Sequence, residues 1–367
     1  TEPTTGRAAS AINARDYRNY LHLHEAFVRS SIPAQEVLTG VEDVLGRADR
    51  FLPLYRLYTD VSLHLYEDMG DTAYLDRLED ILTRAQNWAG GSFFLQRSWF
   101  LLAIHRSEFN VAANIIEQLR ASREDDFLIE GLSGRLYYEM GDYSKAEAHY
   151  ARAVILRPGI TSYYARARNL FYLGRNNQSM ASLTSLLELY PYHTGALGLQ
   201  GLILLEAGQL APAVKAFTES LAIQPQNALQ RSNLGLAYML QGEYGLARDQ
   251  FELSYERGSR DPILVLNLAD AESMSGNTKR AADLYQSLID RFVVEQYQMD
   301  MIAVSQAFEQ LGRYEEALAA LKYIENNAGD GAEVSFNAAL VYTLAGQNIS
   351  ALVEIRQSLA GGMSGIW

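Results

Sequence analysis

Small and bulky residues recur along this chain in a fixed relation to glycine, and that relation predicts pairs of packed helices. The glycines are Gly141, Gly174, Gly208, Gly242, Gly276, Gly312 and Gly346, in steps of 33 to 36 residues. Seven residues before each sits a small side chain: Gly134, Ala167, Gly201, Gly235, Ala269, Ser305 and Ala339. Five residues after it sits another: Ala146, Ser179, Ala213, Ala247, Ala281, Ala317 and Ala351. Nine after it comes a bulky one: Tyr150, Leu183, Phe217, Phe251, Tyr285, Leu321 and Ile355. Small residues let two antiparallel helices approach closely, and the bulky residue fills the space where neighbouring pairs meet. The glycine ends the first helix, where a left-handed backbone costs least without a Cβ. Pro158, Pro191 and Pro225 follow their glycines by seventeen residues and end the second helix.

The same pattern continues upstream in a degenerate form. One period before Gly141 lies Ser107, with Phe109 and Ala112 in the aromatic and small positions. Gly70 closes a helical stretch over 51–69, and 14–30 and 34–48 read as two amphipathic helices around Pro33. The expected organisation is a lead-in at 1–13, degenerate helix pairs over 14–126, seven regular units over 127–360, and a tail at 361–367. The fold class is all-α, a superhelical α-solenoid of about ten antiparallel helix pairs.

The regular units read Gly-Asp-Tyr-Ser-Lys-Ala at 141–146, Gly-Glu-Tyr-Gly-Leu-Ala at 242–247 and Gly-Arg-Tyr-Glu-Glu-Ala at 312–317. This pattern resembles the tetratricopeptide repeat, a helix–turn–helix unit of 34 residues. The resemblance covers about 127–360, although the family's tryptophan near the start of each unit is absent. It implies a binding array whose first helices line a concave groove. With the glycine numbered 15, the family's groove positions are mainly 2, 5, 6, 9, 12 and 13. Position 6 holds Asn233, Asn267 and Asn337, with Ala303 interrupting. Asparagines there bond the backbone of an extended peptide in similar proteins, a task that suits a group with both donor and acceptor. Position 9 holds Arg135 and Arg168, suited to a carboxylate or an aromatic ring. Tyr138, Tyr164, Phe171 and Tyr172 fall at positions 12, 5, 12 and 13, an aromatic floor. Position 5 carries no basic residue, so the family's grip on a chaperone's C-terminal carboxylate is not expected.

Composition and motifs narrow the function. Acidic residues outnumber basic ones 44 to 31, giving a net charge of −13 and no basic block, which argues against nucleic acid as partner. There is no cysteine, hence no disulfide and no thiolate metal site. No apolar run approaches the roughly 18 residues of a membrane-spanning helix. Phosphate loops, nucleophile elbows and zinc-protease motifs are absent, so no catalytic residue, cofactor or metal is expected. Asp60, His64 and Asp68 share one helix face and could hold a metal, but read better as an ion-paired polar stripe. Gly195, Gly198 and Gly201 follow no strand and read as glycines of close helix contact or of a smooth groove floor rather than as a nucleotide loop.

A narrower resemblance concerns the opening Asp16-Tyr17-Arg18-Asn19-Tyr20-Leu21, the later Asn267-Leu268-Ala269-Asp270-Ala271 and the closing Ser364-Gly365-Ile366-Trp367. These look like the extracytoplasmic repeat region of bacterial membrane-anchored signalling proteins, where a kinase or transcriptional-regulator domain precedes a membrane helix. The expected function is a non-catalytic, protein- or peptide-binding domain serving as such a sensor, placed outside the cytoplasm. The alternatives are a cytoplasmic scaffold for several partners and an accessory domain of an enzyme.

Overall fold

The computed structural model describes residues 12–29, 31–122, 126–295, 301–328 and 331–360. Most of the expected lead-in and the whole of the expected tail lie outside them. Twenty helices and no strand occur among the described residues. The chain divides into two compact units, Thr1–Ser182 and Leu183–Trp367.

The first unit contains α1 (Ala14–Arg29), α2 (Ala34–Leu45), α3 (Leu52–Met69), α4 (Ala73–Ala89), α5 (Phe93–His105), α6 (Phe109–Ser122), α7 (Phe127–Glu139), α8 (Tyr143–Leu156) and α9 (Ile160–Tyr172). The boundary falls within α10 (Asn176–Leu189). The second unit continues with α11 (Thr194–Glu206), α12 (Leu210–Ile223), α13 (Ala228–Gln241), α14 (Tyr244–Glu256), α15 (Pro262–Met274), α16 (Thr278–Glu295), α17 (Met301–Gln310), α18 (Tyr314–Ala328), α19 (Ala332–Leu344) and α20 (Asn348–Ala360). These are ten antiparallel helix pairs, as the spacing of small residues requires.

The packing logic is visible atom by atom. A Cβ added at Gly134 would fall 2.6 Å from the Tyr150 ring, and at Gly201 and Gly235 2.5 Å from the Phe217 and Phe251 rings. The glycine in the first helix is therefore the seat of the aromatic ring in the second. Where alanine or serine replaces it, the two small positions still meet. Ser179 donates to the Ala167 carbonyl at 2.7 Å, and Ser305 to the Ala317 carbonyl at 3.1 Å.

First helices end alike. Eight glycines, from Gly70 to Gly346, close α3 and every first helix from α7 to α19 with φ between 68° and 88°. The N–H of the following residue then donates to the carbonyl five residues back, as Asp142 does to Tyr137 and Glu243 to Tyr238. This satisfies carbonyls that the helix leaves open. Ser107 occupies the same place after α5, with φ 57°, and Glu108 makes the same bond to Ala103. It is the only non-glycine residue at positive φ among the described residues. Asp126, Asp142, Asn227 and Asp261 cap following helices through their side chains.

Within each unit successive first helices also touch one another, α3 with α5 and α7 with α9 in one, α11 through α19 in the other. Second helices form no comparable row among the described residues. Where first helices touch in this way, side chains from adjacent pairs can act together.

Candidate binding surface

In the first unit, α7 and α9 bring four of the expected residues into one cluster. Arg168 Nη2 donates to the Tyr138 hydroxyl at 3.0 Å, and the guanidinium lies 5.1 Å from that ring's centre. Tyr138 meets Tyr172 edge-on at 5.4 Å, and Phe171 meets Tyr172 at 5.7 Å. Tyr143, at the start of α8, stacks on Tyr172 at 5.3 Å and meets Tyr138 at 5.4 Å. Tyr172 remains 54% exposed at the edge of this cluster. Arg168 has no carboxylate within ion-pair distance among the described residues. Burial alone would lower its guanidinium, but the hydroxyls of Tyr138, Tyr164 and Tyr150 outweigh burial and hold it above its ordinary value. Burial likewise pushes Tyr138 up to about 12, so its hydroxyl stays protonated. Tyr164 is half-buried and is raised by the same cause. Arg135, also expected to face a ligand, lies 3.5 Å from Glu139 one turn along α7.

The asparagines of the second unit do not share one environment. Asn233 on α13 and Asn267 on α15 are half-buried, and neither amide bonds a described residue. Asn337 on α19 is 3% exposed. Its Nδ2 donates to the Glu333 carbonyl at 2.9 Å and its Oδ1 accepts from Gln306 at 2.7 Å. That amide is spent joining α19 to α17.

Sequence reasoning missed other parts of this surface. Tyr143 belongs to a second helix and enters the cluster only because α8 begins beside the ends of α7 and α9. In the second unit, Leu236 and Leu240 on α13, Met274 on α15, and Leu340 and Leu344 on α19 are exposed at groove positions 9 and 13. Their spacing repeats like everything else in the chain, but α11, α15 and α19 are apolar on nearly every side, so periodicity does not separate surface from core.

The other motifs resolve into structure. Asp60 lies 3.7 Å from Arg56 and 3.6 Å from Arg97, while His64 pairs with Asp68 at 3.4 Å. No cluster able to hold a metal ion occurs among the described residues. A Cβ at Gly198 would run into the Gln230 amide, and one at Gly201 into Phe217, so both glycines are contacts of α11 with its neighbours. No helix among the described residues is long and apolar enough to cross a membrane.

Stacked helix pairs of this kind define an α-helical repeat protein. The tetratricopeptide repeat family matches residues 97–159, 164–228, 232–292 and 266–332, more than half of the chain, and the chain belongs to that family. The match starts at α5, upstream of the seven regular units. Tetratricopeptide repeat protein 37 of Xenopus laevis is 27% identical over 197 residues, covering 52% of this chain and 12% of that protein. The chain thus spans a small part of that relative's length. Solved structures of similar fold include the two that follow. The APC/C hetero-tetramer Cut9–Hcn1 gives a TM-score of 0.51 at 18% identity, covering 100% of this chain and 77% of that one. The human IFIT1 dimer with m7Gppp-AAAA gives 0.51 at 14%, covering 96% and 91%. At these identities the likeness concerns the fold alone.

Proposed function

We propose that this chain is a non-catalytic binding domain whose units each bind an extended protein segment along their own first helices. The observation that carries the proposal is Arg168: a guanidinium with no carboxylate partner among the described residues, set on Tyr138 and bordered by the exposed Tyr172. An arginine held by aromatic rings and hydroxyls keeps its charge and its remaining donors for an incoming carboxylate, and the tyrosines offer apolar area with little side-chain entropy to lose. In the second unit Asn233 and Asn267 serve the backbone of a segment bound there, their amides being free of described partners. In this reading the partner is a protein rather than a nucleic acid. Carboxylates predominate over the whole chain, and the first helices of the second unit carry one cation, Arg231, which is buried and donates to the Pro225 carbonyl. The role we assign is the sensor region of a bacterial membrane signalling protein, outside the cytoplasm. The contrast between the two units' first-helix faces also suits a scaffold that holds two different segments.

The test is affinity for a partner recovered by pull-down with the full chain. Arg168→Ala and Tyr172→Ala should weaken it and leave thermal melting nearly unchanged. Normal binding by both variants, with loss instead on Ile155→Asp at the exposed side of α8, would place the partner on the second helices and end this reading.

A further inference from the structure

The first-helix face of the second unit combines exposed aliphatic side chains with carboxylates that have no counter-ion. Asp270 on α15 accepts the Tyr285 hydroxyl at 2.5 Å and meets no cation within ion-pair distance among the described residues. Glu309 on α17, the next first helix, has a buried Oε2 with no hydrogen-bond partner and likewise no cation. Both lie in the half-buried range. Helix α15 packs directly against α17, which brings the two carboxyl-bearing helices side by side. Burial raises both carboxyls, and the Asp270 charge raises Glu309 further. By contrast, Glu272 on the same α15 is answered by Arg280 at 3.1 Å. A buried carboxylate without a counter-ion is costly to keep, and such groups gather where a ligand supplies what the protein lacks.

The apolar neighbours lie in register. Met274 is one turn beyond Asp270 on α15 and is 55% exposed. Leu236 and Leu240 occupy the matching positions on α13, and Leu240 is also 55% exposed. A ligand that covers these side chains brings its own polar groups over Asp270 and Glu309.

We infer that this face docks a protein segment in which a lysine or arginine is flanked by aliphatic residues, the cation lying between Asp270 and Glu309. This rests on the first-helix reading above and adds the chemistry of the segment. Charge complementarity selects the occupant: an acidic segment or a phosphate backbone would add a third negative charge to two that already repel.

The probe is a fluorescent peptide of alternating leucine and lysine, compared by polarisation with versions carrying glutamine or glutamate in place of lysine, and with a single-stranded RNA. The lysine peptide should bind about tenfold tighter than the glutamine one and weaken with added salt. Asp270→Asn with Glu309→Gln should remove that preference, since the asparagine still accepts the Tyr285 hydroxyl and keeps the fold. Leu240→Ala with Met274→Ala should weaken lysine and glutamine peptides alike. Equal binding of lysine and glutamate peptides, tighter binding of the RNA, or a preference that survives the double amide variant overturns the inference. The two claims fail separately. A natural partner that responds to Leu240→Ala with Met274→Ala but ignores the amide variant keeps the first-helix reading and discards the cation. A partner indifferent to all these changes and to Arg168→Ala discards both.

Discussion

The two units use one packing scheme to display two chemistries. In the first, α3 and α5 carry ion pairs that answer one another, Asp60 with Arg97 and Glu67 with His105 at 2.9 Å, while α7 and α9 set Arg168 among tyrosines without a carboxylate partner among the described residues. In the second, first helices expose aliphatic side chains, and Asp270 and Glu309 have no cation within ion-pair distance among the described residues. The core beneath does not differ, with Tyr150 over Gly134 in one unit and Phe251 over Gly235 in the other. Helix-pair packing fixes the small and bulky positions and leaves the exposed ones free, so a repeat array can change what it binds along its length without changing how it folds.

The largest expected effect tests the shared half of that comparison. Phe251 is fully buried, and Phe251→Ala should cost about 3–5 kcal/mol in denaturant unfolding. Tyr150→Ala should cost a comparable amount. A large loss in one unit with a trivial one in the other would mean that the units are not packed alike.

Next come the surface differences. Removing the Arg168 guanidinium should cost about 1.5–3 kcal/mol in affinity for a carboxylate-bearing ligand of the first unit. Melting should stay within about 0.5 kcal/mol of the parent, as for a surface change away from the core. A large fall in melting would make the arginine a structural part of the tyrosine cluster.

A smaller effect concerns backbone. Ser107 holds a left-handed conformation that costs a non-glycine residue about 1 kcal/mol, so Ser107→Gly should stabilise the first unit by about that much. Gly174→Ser should destabilise by a similar amount, because a Cβ at Gly174 meets nothing within 4 Å and only the backbone term is left. Unchanged midpoints for both would show that the turn tolerates either residue.

The smallest effect is the sign of the pH response. Asp270 and Glu309 are raised by burial, so the folded state binds their protons more tightly than the unfolded chain does. Stability from them is therefore gained as pH falls from neutrality toward the ordinary carboxylate range, and lost as pH rises through their folded values. Glu67 behaves oppositely: its bond to His105 lowers it, so its contribution is present above the ordinary carboxylate value and lost as pH falls below it. Hydrogen exchange should show mild acidification protecting α15 and α17, with α3 and α5 loosening only at lower pH. The opposite order would contradict the contrast between the units.

The fold was legible because its constraints are steric and local. A glycine under a ring, a small residue opposite another, and a left-handed turn each leave few residue types, and together they repeat. Even Ser107 was found by period alone. The arginine–tyrosine cluster was legible because its residue types are unusual for a helix interior, as with Arg168 and the tyrosines around it. Tyr143 escaped because it comes from a second helix. Leu240 and Met274 escaped because an apolar residue on an apolar helix carries no mark of exposure. That Asp270 and Glu309 lie on helices in contact, α15 and α17, was hidden because a whole second helix separates them in sequence.

The most direct test of the central claim, that ligands lie on the first helices of both units, is site-specific photo-crosslinking of the full chain to its partner. A photoreactive residue at Tyr172 or Met274 should capture the partner, and one at Ile155 or Leu253, exposed on second helices, should not. Capture at Ile155 and Leu253 with none at Tyr172 and Met274 would contradict it.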